Sequence, residues 1–385
     1  MASRFSSPQF RNFALATAAN FFFFCNFSSF FLLPLYIKDL GGNEANIGFI
    51  MGSFGITSLG AIPFVAYLVD KYGRRRFMLL GYGIMVLATL GYLSISHLSP
   101  VFYLLRFVQG VSFAFAFTSA GTFVSDYIPP ERRAEGLGIF SAFTIASYAI
   151  GPSLGELVIK LFGFHLFFIY ASFFSLVAFV LTIFARDGEF VRSNDPYGFG
   201  FFRLIASKRY LLILVSNLIL AGGLGAILNF VATFLRSKGL AAFYFFLTYT
   251  VAVTAVRIFG GRISDSLGRK FIASPCLLAV SISLAAMYFV DNALSAVLIS
   301  LFFSIGYGFL YPTLSAMVID KAKSDERGKA MGAFNATYSI GINFLAFPLG
   351  LIARDFGYEV MYLITGCLVF LGFLLFTFFQ PSSES

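Results

Sequence analysis

Long, uninterrupted apolar runs dominate this sequence and limit what the chain can fold into. Each is about as long as an α-helix needs to be to cross the hydrocarbon core of a bilayer, roughly 20 residues. Hydrophobic residues make up 58% of the 385 positions and charged residues only 12%, about half the usual charged share of a soluble protein. A water-soluble fold could not cover that much apolar surface. We therefore predict an all-α membrane protein.

Twelve such runs can be placed, and they are continuous rather than alternating, which favours helices over the strands of a membrane barrel. They lie near residues 13–36, 47–69, 77–96, 101–125, 136–159, 165–185, 210–235, 241–261, 271–290, 293–319, 330–352 and 360–379.

Lysine and arginine are distributed unequally among the segments that join the runs. With the N-terminus in the cytoplasm, 20 of these residues lie on the inner side and 5 on the outer side. The positive-inside rule then places both termini in the cytoplasm of a multi-pass protein in the inner (cytoplasmic) cell membrane. The net charge of +9 is explained by this orientation, so no nucleic-acid partner is expected.

The two halves of the chain resemble each other. Residues 70–75 recur as residues 265–270, and Asp126 with its downstream arginine recurs at Asp320. A polar stretch over 186–209 lies at the midpoint and is interpreted as a cytoplasmic linker. We predict two pseudo-symmetric six-helix bundles, 1–185 and 210–385. Parallel repeats of this kind suggest a substrate site at the interface between two halves.

Three motifs resemble those of the major facilitator superfamily. The segment after the second span, Ala66–Arg75, and its complete second copy, Gly261–Lys270, are similar to the family signature G-x-x-x-D-x-x-G-R-[RK]. Arg106–Gly110 in the fourth span reads R-F-V-Q-G, a second signature. Gly151–Gly155 in the fifth is similar to the antiporter motif G-x-x-x-G-P-x-x-G-G, with Ser147 and Glu156 in place of two glycines.

The resemblance covers the whole chain and is closest to the drug and sugar efflux (drug:H⁺ antiporter) branch. It implies the major facilitator fold and a monomeric secondary active transporter that works by alternating access. The expected function is proton-coupled efflux of small amphipathic compounds such as drugs, sugars or metabolites. Proton-coupled uptake of a small nutrient is the alternative, and a non-transporting membrane sensor is a more distant one. The expected partners are the substrate, protons and the lipid bilayer.

No enzyme activity is expected, because the sequence lacks a nucleophile elbow, an H-E-x-x-H motif and a phosphate-binding glycine loop. No cofactor or metal is expected either. His97 and His165 have no second ligand nearby, and the three cysteines each lie alone within an apolar run.

A gate is predicted at the cytoplasmic ends of the spans. Asp70 and Asp265 end the second and eighth spans, where a carboxylate can accept hydrogen bonds from a helix N-terminus and pair with arginines. The alternative is that the cations only orient the chain. The predicted gate comprises Asp70, Gly73, Arg74, Arg75, Arg132, Arg133, Gly261, Asp265, Gly268, Arg269, Lys270 and Arg327.

Ionisable residues inside the spans are the candidates for proton coupling. Arg106 and Gln109 are three residues apart, so they share a helix face. They are interpreted as a cavity-lining pair, with a structural ion pair or snorkelling of Arg106 to the outer surface as alternatives. Glu156 is a candidate proton carrier or an ion-pair partner of Lys160. Arg257 is expected to reach the cytoplasmic surface or to pair with Asp265.

Buried amides and proline-containing segments complete the predicted site. Amides can bind substrate, but they also join membrane helices by hydrogen bonds. The resemblance implies that the first, fourth, seventh and tenth spans line the cavity. The candidate substrate contacts are Asn20, Asn26, Asn217, Asn229 and Tyr311. Gly151-Pro152 and Pro312 are expected to kink the fifth and tenth helices.

Overall fold

The computed structural model describes residues 7–129, 132–187, 208–259, 268–322 and 327–380. These residues form helices joined by short turns, with no β-strand in the described ranges. The predicted all-α fold is confirmed.

The helices follow one another along the chain with few intervening residues. They are α1 (Ser7–Ser29), α2 (Leu33–Asp39), α3 (Glu44–Tyr72), α4 (Arg74–Gly91), α5 (Pro100–Tyr127), α6 (Arg133–Ile183), α7 (Lys208–Ser237), α8 (Ala242–Phe259), α9 (Arg269–Ala286), α10 (Ala293–Lys321), α11 (Arg327–Phe344) and α12 (Ala346–Phe379). Short 3-10 turns at Phe30–Leu32, Tyr92–Ser94 and Met287–Phe289 extend α1, α4 and α9.

Two of the helical stretches are too long for a single membrane crossing. Glu135–Ile183 contains 49 residues and Ala330–Phe379 contains 50, whereas about 20 suffice to span the hydrocarbon core. Non-helical backbone at Gly163 (φ 77°) and Gly357 (φ 87°) divides each stretch. Both glycines lie in predicted gaps between spans. With these divisions the described helices account for all twelve predicted spans.

The turn between α3 and α4 consists of a single residue, Gly73, at φ 97°. This left-handed conformation is costly for any residue with a Cβ atom. The motif glycine is therefore required by the backbone geometry, because it places Arg74 and Arg75 in the first turn of α4.

The chain forms two compact units. The first comprises residues 1–41 and 56–196, and the second comprises 42–55 and 197–385. In the first, aromatic rings from α1, α4 and α5 pack closely, with Phe23 lying 5.1 Å from Tyr82 and 6.3 Å from Phe113 between ring centroids. In the second, backbone approaches closely where Gly48 of α3 meets Gly350 of α12.

Many large apolar side chains are exposed on these helices. Phe378 and Phe289 are each 75% exposed and Leu87 is 71% exposed. Such surfaces are unfavourable in water and are compatible with contact with lipid tails.

Candidate functional site

Arg74 forms the centre of a charged cluster in the first unit. Its Nε lies 2.8 Å from Asp126 at the end of α5, and its Nη2 lies 3.9 Å from Asp70 at the end of α3. The Arg74 side chain is only 8% exposed. The cluster therefore ties the ends of α3, α4 and α5 together around a buried cation.

Arg75 caps the C-terminal end of α6. Its Nε and Nη2 donate hydrogen bonds to the carbonyl oxygens of Thr182 (3.1 Å) and Ile183 (2.7 Å). Its backbone N–H donates to the carboxylate of Asp187 at 2.9 Å. A cation suits the C-terminal end of a helix, where carbonyls lack partners and the dipole is negative.

The second unit repeats this arrangement with its own copy of the motif. Arg269 forms an ion pair with Asp320 at the end of α10. The Lys270 ammonium donates a hydrogen bond to the carbonyl of Gln380, just beyond α12. In each unit, the first motif cation pairs with an aspartate and the second caps the last helix. Gly268 repeats the positive φ of Gly73, at 89°.

The remaining residues of the predicted gate are only partly visible. Gly261 and Asp265 lie outside the described residues, and so do the side chains of Arg133 and Arg327. Arg132 pairs with Glu135, three residues further along the chain, at 2.6 Å.

Asp126 and Asp320 were not among the predicted site residues. A usable signal was present, because Asp126 and Asp320 are 194 positions apart, within one residue of the 195 positions that separate the two motif copies containing their partners. Their pairing could not be inferred, since it depends on how α5 and α10 pack against α4 and α9.

Arg106 lies within a buried polar group in the first unit. It is 5% exposed, and its Nη1 donates a hydrogen bond to Gln109 Oε1 at 3.0 Å. The hydroxyl of Tyr92 donates to the same oxygen at 3.3 Å, and the guanidinium lies 5.7 Å from the centre of the Phe30 ring. Snorkelling to the surface is excluded by this burial, and the charge is held inside the bundle by an amide and an aromatic face.

The segment around Gly151 is a close helix crossing. A Cβ atom on Gly151 would lie 2.6 Å from the carbonyl oxygen of Cys25 in α1, so the absence of a side chain lets α6 and α1 touch. The helix continues through Pro152, and α10 likewise continues through Pro312. Glu156 follows on α6 and is half-buried. Its role in proton transfer remains a prediction.

The four predicted amides are all buried and all join helices within one unit. Asn20 donates to Thr144 at 2.8 Å, and Asn26 donates to the carbonyl of Ala171 at 2.7 Å. In the second unit, Asn217 and Asn229 donate to main-chain carbonyls of α11 at 2.7 and 3.3 Å. This geometry favours the bridging alternative over substrate contact for these amides.

Tyr311, the fifth candidate contact, lies beside Arg257. The guanidinium carbon of Arg257 is 5.4 Å from the centre of the Tyr311 ring, and the Tyr311 ring is 4.9 Å from that of Tyr338. The Tyr311 hydroxyl donates to Asn335 Oδ1 at 3.4 Å. Arg257 therefore lies among aromatic side chains of α10 and α11. The sequence had suggested that Arg257 reaches the cytoplasmic surface or pairs with Asp265, and Asp265 lies outside the described residues.

Comparison with known proteins identifies the family to which these features belong. The sequence profile of the Major Facilitator Superfamily matches residues 15–346 and 245–385. Multidrug resistance protein 2 of Bacillus subtilis (strain 168) is 25% identical over 368 residues, which cover 89% of this chain and 88% of that protein. The quinolone resistance protein NorA of Staphylococcus aureus (strain COL) is 24% identical over 333 residues, 82% of each chain.

Solved structures show the same fold. The crystal structure of the nucleoside transporter NupG matches with a TM-score of 0.80 at 15% identity, covering 98% of this chain and 100% of that one.

Proposed function

Because this chain belongs to the major facilitator superfamily and is a multi-pass membrane transporter of small molecules, we propose that it exports small amphipathic compounds in exchange for protons. The observation that carries the proposal is its similarity, over more than four fifths of its length, to the two resistance proteins. The partial antiporter motif around Gly151 and Pro152 supports the same direction of transport.

The described contacts fit a transporter in which each half keeps its internal packing during transport. The Arg74–Asp126 and Arg269–Asp320 pairs each join helix ends within one unit. Alternating access requires such units to keep their internal packing while a substrate site changes sides. We propose that these ends face the cytoplasm, in the inner membrane, with both termini inside and with the motif residues acting as the gate. We further propose that the protein works as a monomer.

Proton coupling is assigned to the ionisable groups within the spans. Glu156 is the candidate carrier, since a carboxyl group inside a membrane span is expensive unless it can take up a proton or a partner. The Arg106, Gln109 and Tyr92 group is the candidate for sensing that proton or the substrate. Its buried charge would respond to any new charge that enters the same low-dielectric surroundings.

The test is transport by purified protein in liposomes. An outwardly or inwardly directed pH gradient is imposed, and flux of a fluorescent amphipathic dye is followed. We expect the dye to move in the direction opposite to that of the protons. Cells that make the protein should accumulate less dye than cells without it. Dye that moves in the same direction as protons would favour uptake instead, and absence of any response to either gradient would refute coupling.

Two variants locate the coupling group. In Glu156→Gln, dye flux is expected to lose its response to the pH gradient while exchange of dye against dye continues. In Arg106→Gln, the exchange rate is expected to fall. Arg354→Gln, an exposed arginine beside Asp355, serves as the matched control and should transport like the wild type. A Glu156→Gln protein that still follows the gradient would remove Glu156 from the mechanism.

A further inference from the structure

Arg257 and four tyrosines form a cluster in the second unit, which we call the Arg257 cluster. Its members are Arg257 and Tyr249 of α8, Tyr307 and Tyr311 of α10, and Tyr338 of α11. The Tyr307 and Tyr338 hydroxyls are hydrogen bonded to each other, and the Tyr307 hydroxyl also interacts with Arg257 and Tyr249. Three helices therefore direct phenol groups toward one guanidinium.

The tyrosines of the cluster on α10 and α11 lie more than two helical turns from the nearer ends of those helices. Tyr311 precedes the end of α10 at Lys321 by ten residues, which corresponds to about 15 Å along the helix axis. Tyr338 follows the start of α11 at Arg327 by eleven residues, or about 16 Å. Arg257 precedes Phe259, the last described residue of α8, by two residues, and its guanidinium lies beside the Tyr311 ring, within the span that the sequence predicts over 241–261.

The neighbours of Arg257 that the structure describes are neutral aromatic side chains. Within the described ranges it forms no ion pair with a carboxylate, and its buried Nε has no hydrogen-bond acceptor there. Tyrosine rings and hydroxyl oxygens stabilise a cation through their dipoles and electron-rich faces, but they carry no charge. Arg74 and Arg269, by contrast, each have an aspartate partner.

A planar guanidinium that meets no carboxylate among the described residues is suited to binding one through two parallel hydrogen bonds. The neighbouring rings would contact an apolar or aromatic body attached to that carboxylate. We propose that the Arg257 cluster binds the anionic end of a transported compound, so that the substrates include amphipathic organic anions such as aromatic carboxylates. This inference rests on the proposed transport function and adds to it the charge of the substrate.

Three naphthalene compounds test the inference on the wild-type protein. They are 2-naphthoate, 2-naphthamide and 2-naphthylmethylammonium, which share a ring system and differ in charge. The chain contains no tryptophan, so naphthalene fluorescence can be followed against weak protein emission. Binding to detergent-purified protein is measured by titration. We expect 2-naphthoate to bind about 10- to 150-fold more tightly than the amide, the range typical of a charge-assisted hydrogen bond.

Variants assign this preference to the cluster. Arg257→Gln is expected to bind the anion and the amide equally, and Arg257→Lys is expected to keep part of the preference because it retains the charge without the planar fork. Arg354→Gln is the control and should keep the full preference. Because the comparison of the three compounds needs no variant, the inference can be tested even if Arg257→Gln does not fold.

Several outcomes would overturn the inference. Equal binding of anion and amide by the wild type would do so, as would tighter binding of the ammonium compound. A preference for the anion that appears only in Asp265→Asn would show that Arg257 is already paired with Asp265.

The same compounds separate this inference from the proposed function. Liposomes that exchange a cationic dye against protons but ignore 2-naphthoate would leave transport intact and remove the anion site. Selective binding of 2-naphthoate without flux of any compound would support the site and refute transport.

Discussion

Asp126→Asn and Asp320→Asn make the same change at equivalent positions of the two halves. The structure nevertheless predicts that they lower the free energy of unfolding by different amounts. Arg74, the partner of Asp126, has a side chain that is 8% exposed, whereas Arg269, the partner of Asp320, is 28% exposed. The aspartates differ in the same sense, at 31% and 55% exposed. Each substitution keeps the side-chain size and removes the charge, so the pair isolates the effect of burial.

The expected loss of stability depends on which carboxylate partners each arginine keeps. Removing one partner of a fully buried pair costs about 3–5 kcal/mol, because the other charge is left uncompensated. Here Asp70 remains 3.9 Å from Arg74, where Coulomb attraction is about seven tenths of that at 2.8 Å. We therefore expect Asp126→Asn to lower the free energy of unfolding by about 2 kcal/mol. Asp320→Asn breaks the more exposed of the two pairs and should lower the free energy of unfolding by about 0.5–1 kcal/mol.

The assay is unfolding of purified protein in detergent, with loss of folded monomer measured by size-exclusion chromatography after heating. We expect the apparent melting temperature to fall clearly more for Asp126→Asn than for Asp320→Asn. The double variant Arg74→Gln/Asp126→Asn tests the cause, because removal of the buried cation that has lost one of its carboxylates should recover part of the loss. Equal losses at the two sites, or no recovery in the double variant, would refute the argument from burial.

Two further predictions concern local geometry. Gly73→Ala should lower the free energy of unfolding by about 1–2 kcal/mol, because an L-residue must adopt the positive φ at this turn. Gly60→Ala, in the middle of α3 where a Cβ atom meets open space, should be neutral or stabilising. Similar melting temperatures for the two variants would contradict this prediction. Asn217→Leu should lower stability by about 1 kcal/mol through loss of its hydrogen bonds to α11, with KM for the exported compound unchanged. A raised KM at unchanged stability would restore Asn217 as a substrate contact.

The positions of the spans were determined by the sequence alone. Hydropathy and chain length specify a membrane helix because every apolar run must satisfy its own backbone hydrogen bonds within the lipid. The predicted gaps between spans also contain Gly163 and Gly357, where the structure divides its two longest helical stretches. Arg106 and Gln109 could be placed on one face because helical periodicity is a local property.

Only the tertiary structure decided which polar groups meet. Asn217 could equally have lined a cavity or joined two helices, and its hydrogen bond to the main chain of α11 depends on the rotation of α7 about its axis. The same holds for Asp126 with Arg74 and for Arg257 with Tyr311. Partners on different helices are set by crossing angles and side-chain packing across the bundle, and these are not encoded in the periodicity of any single segment.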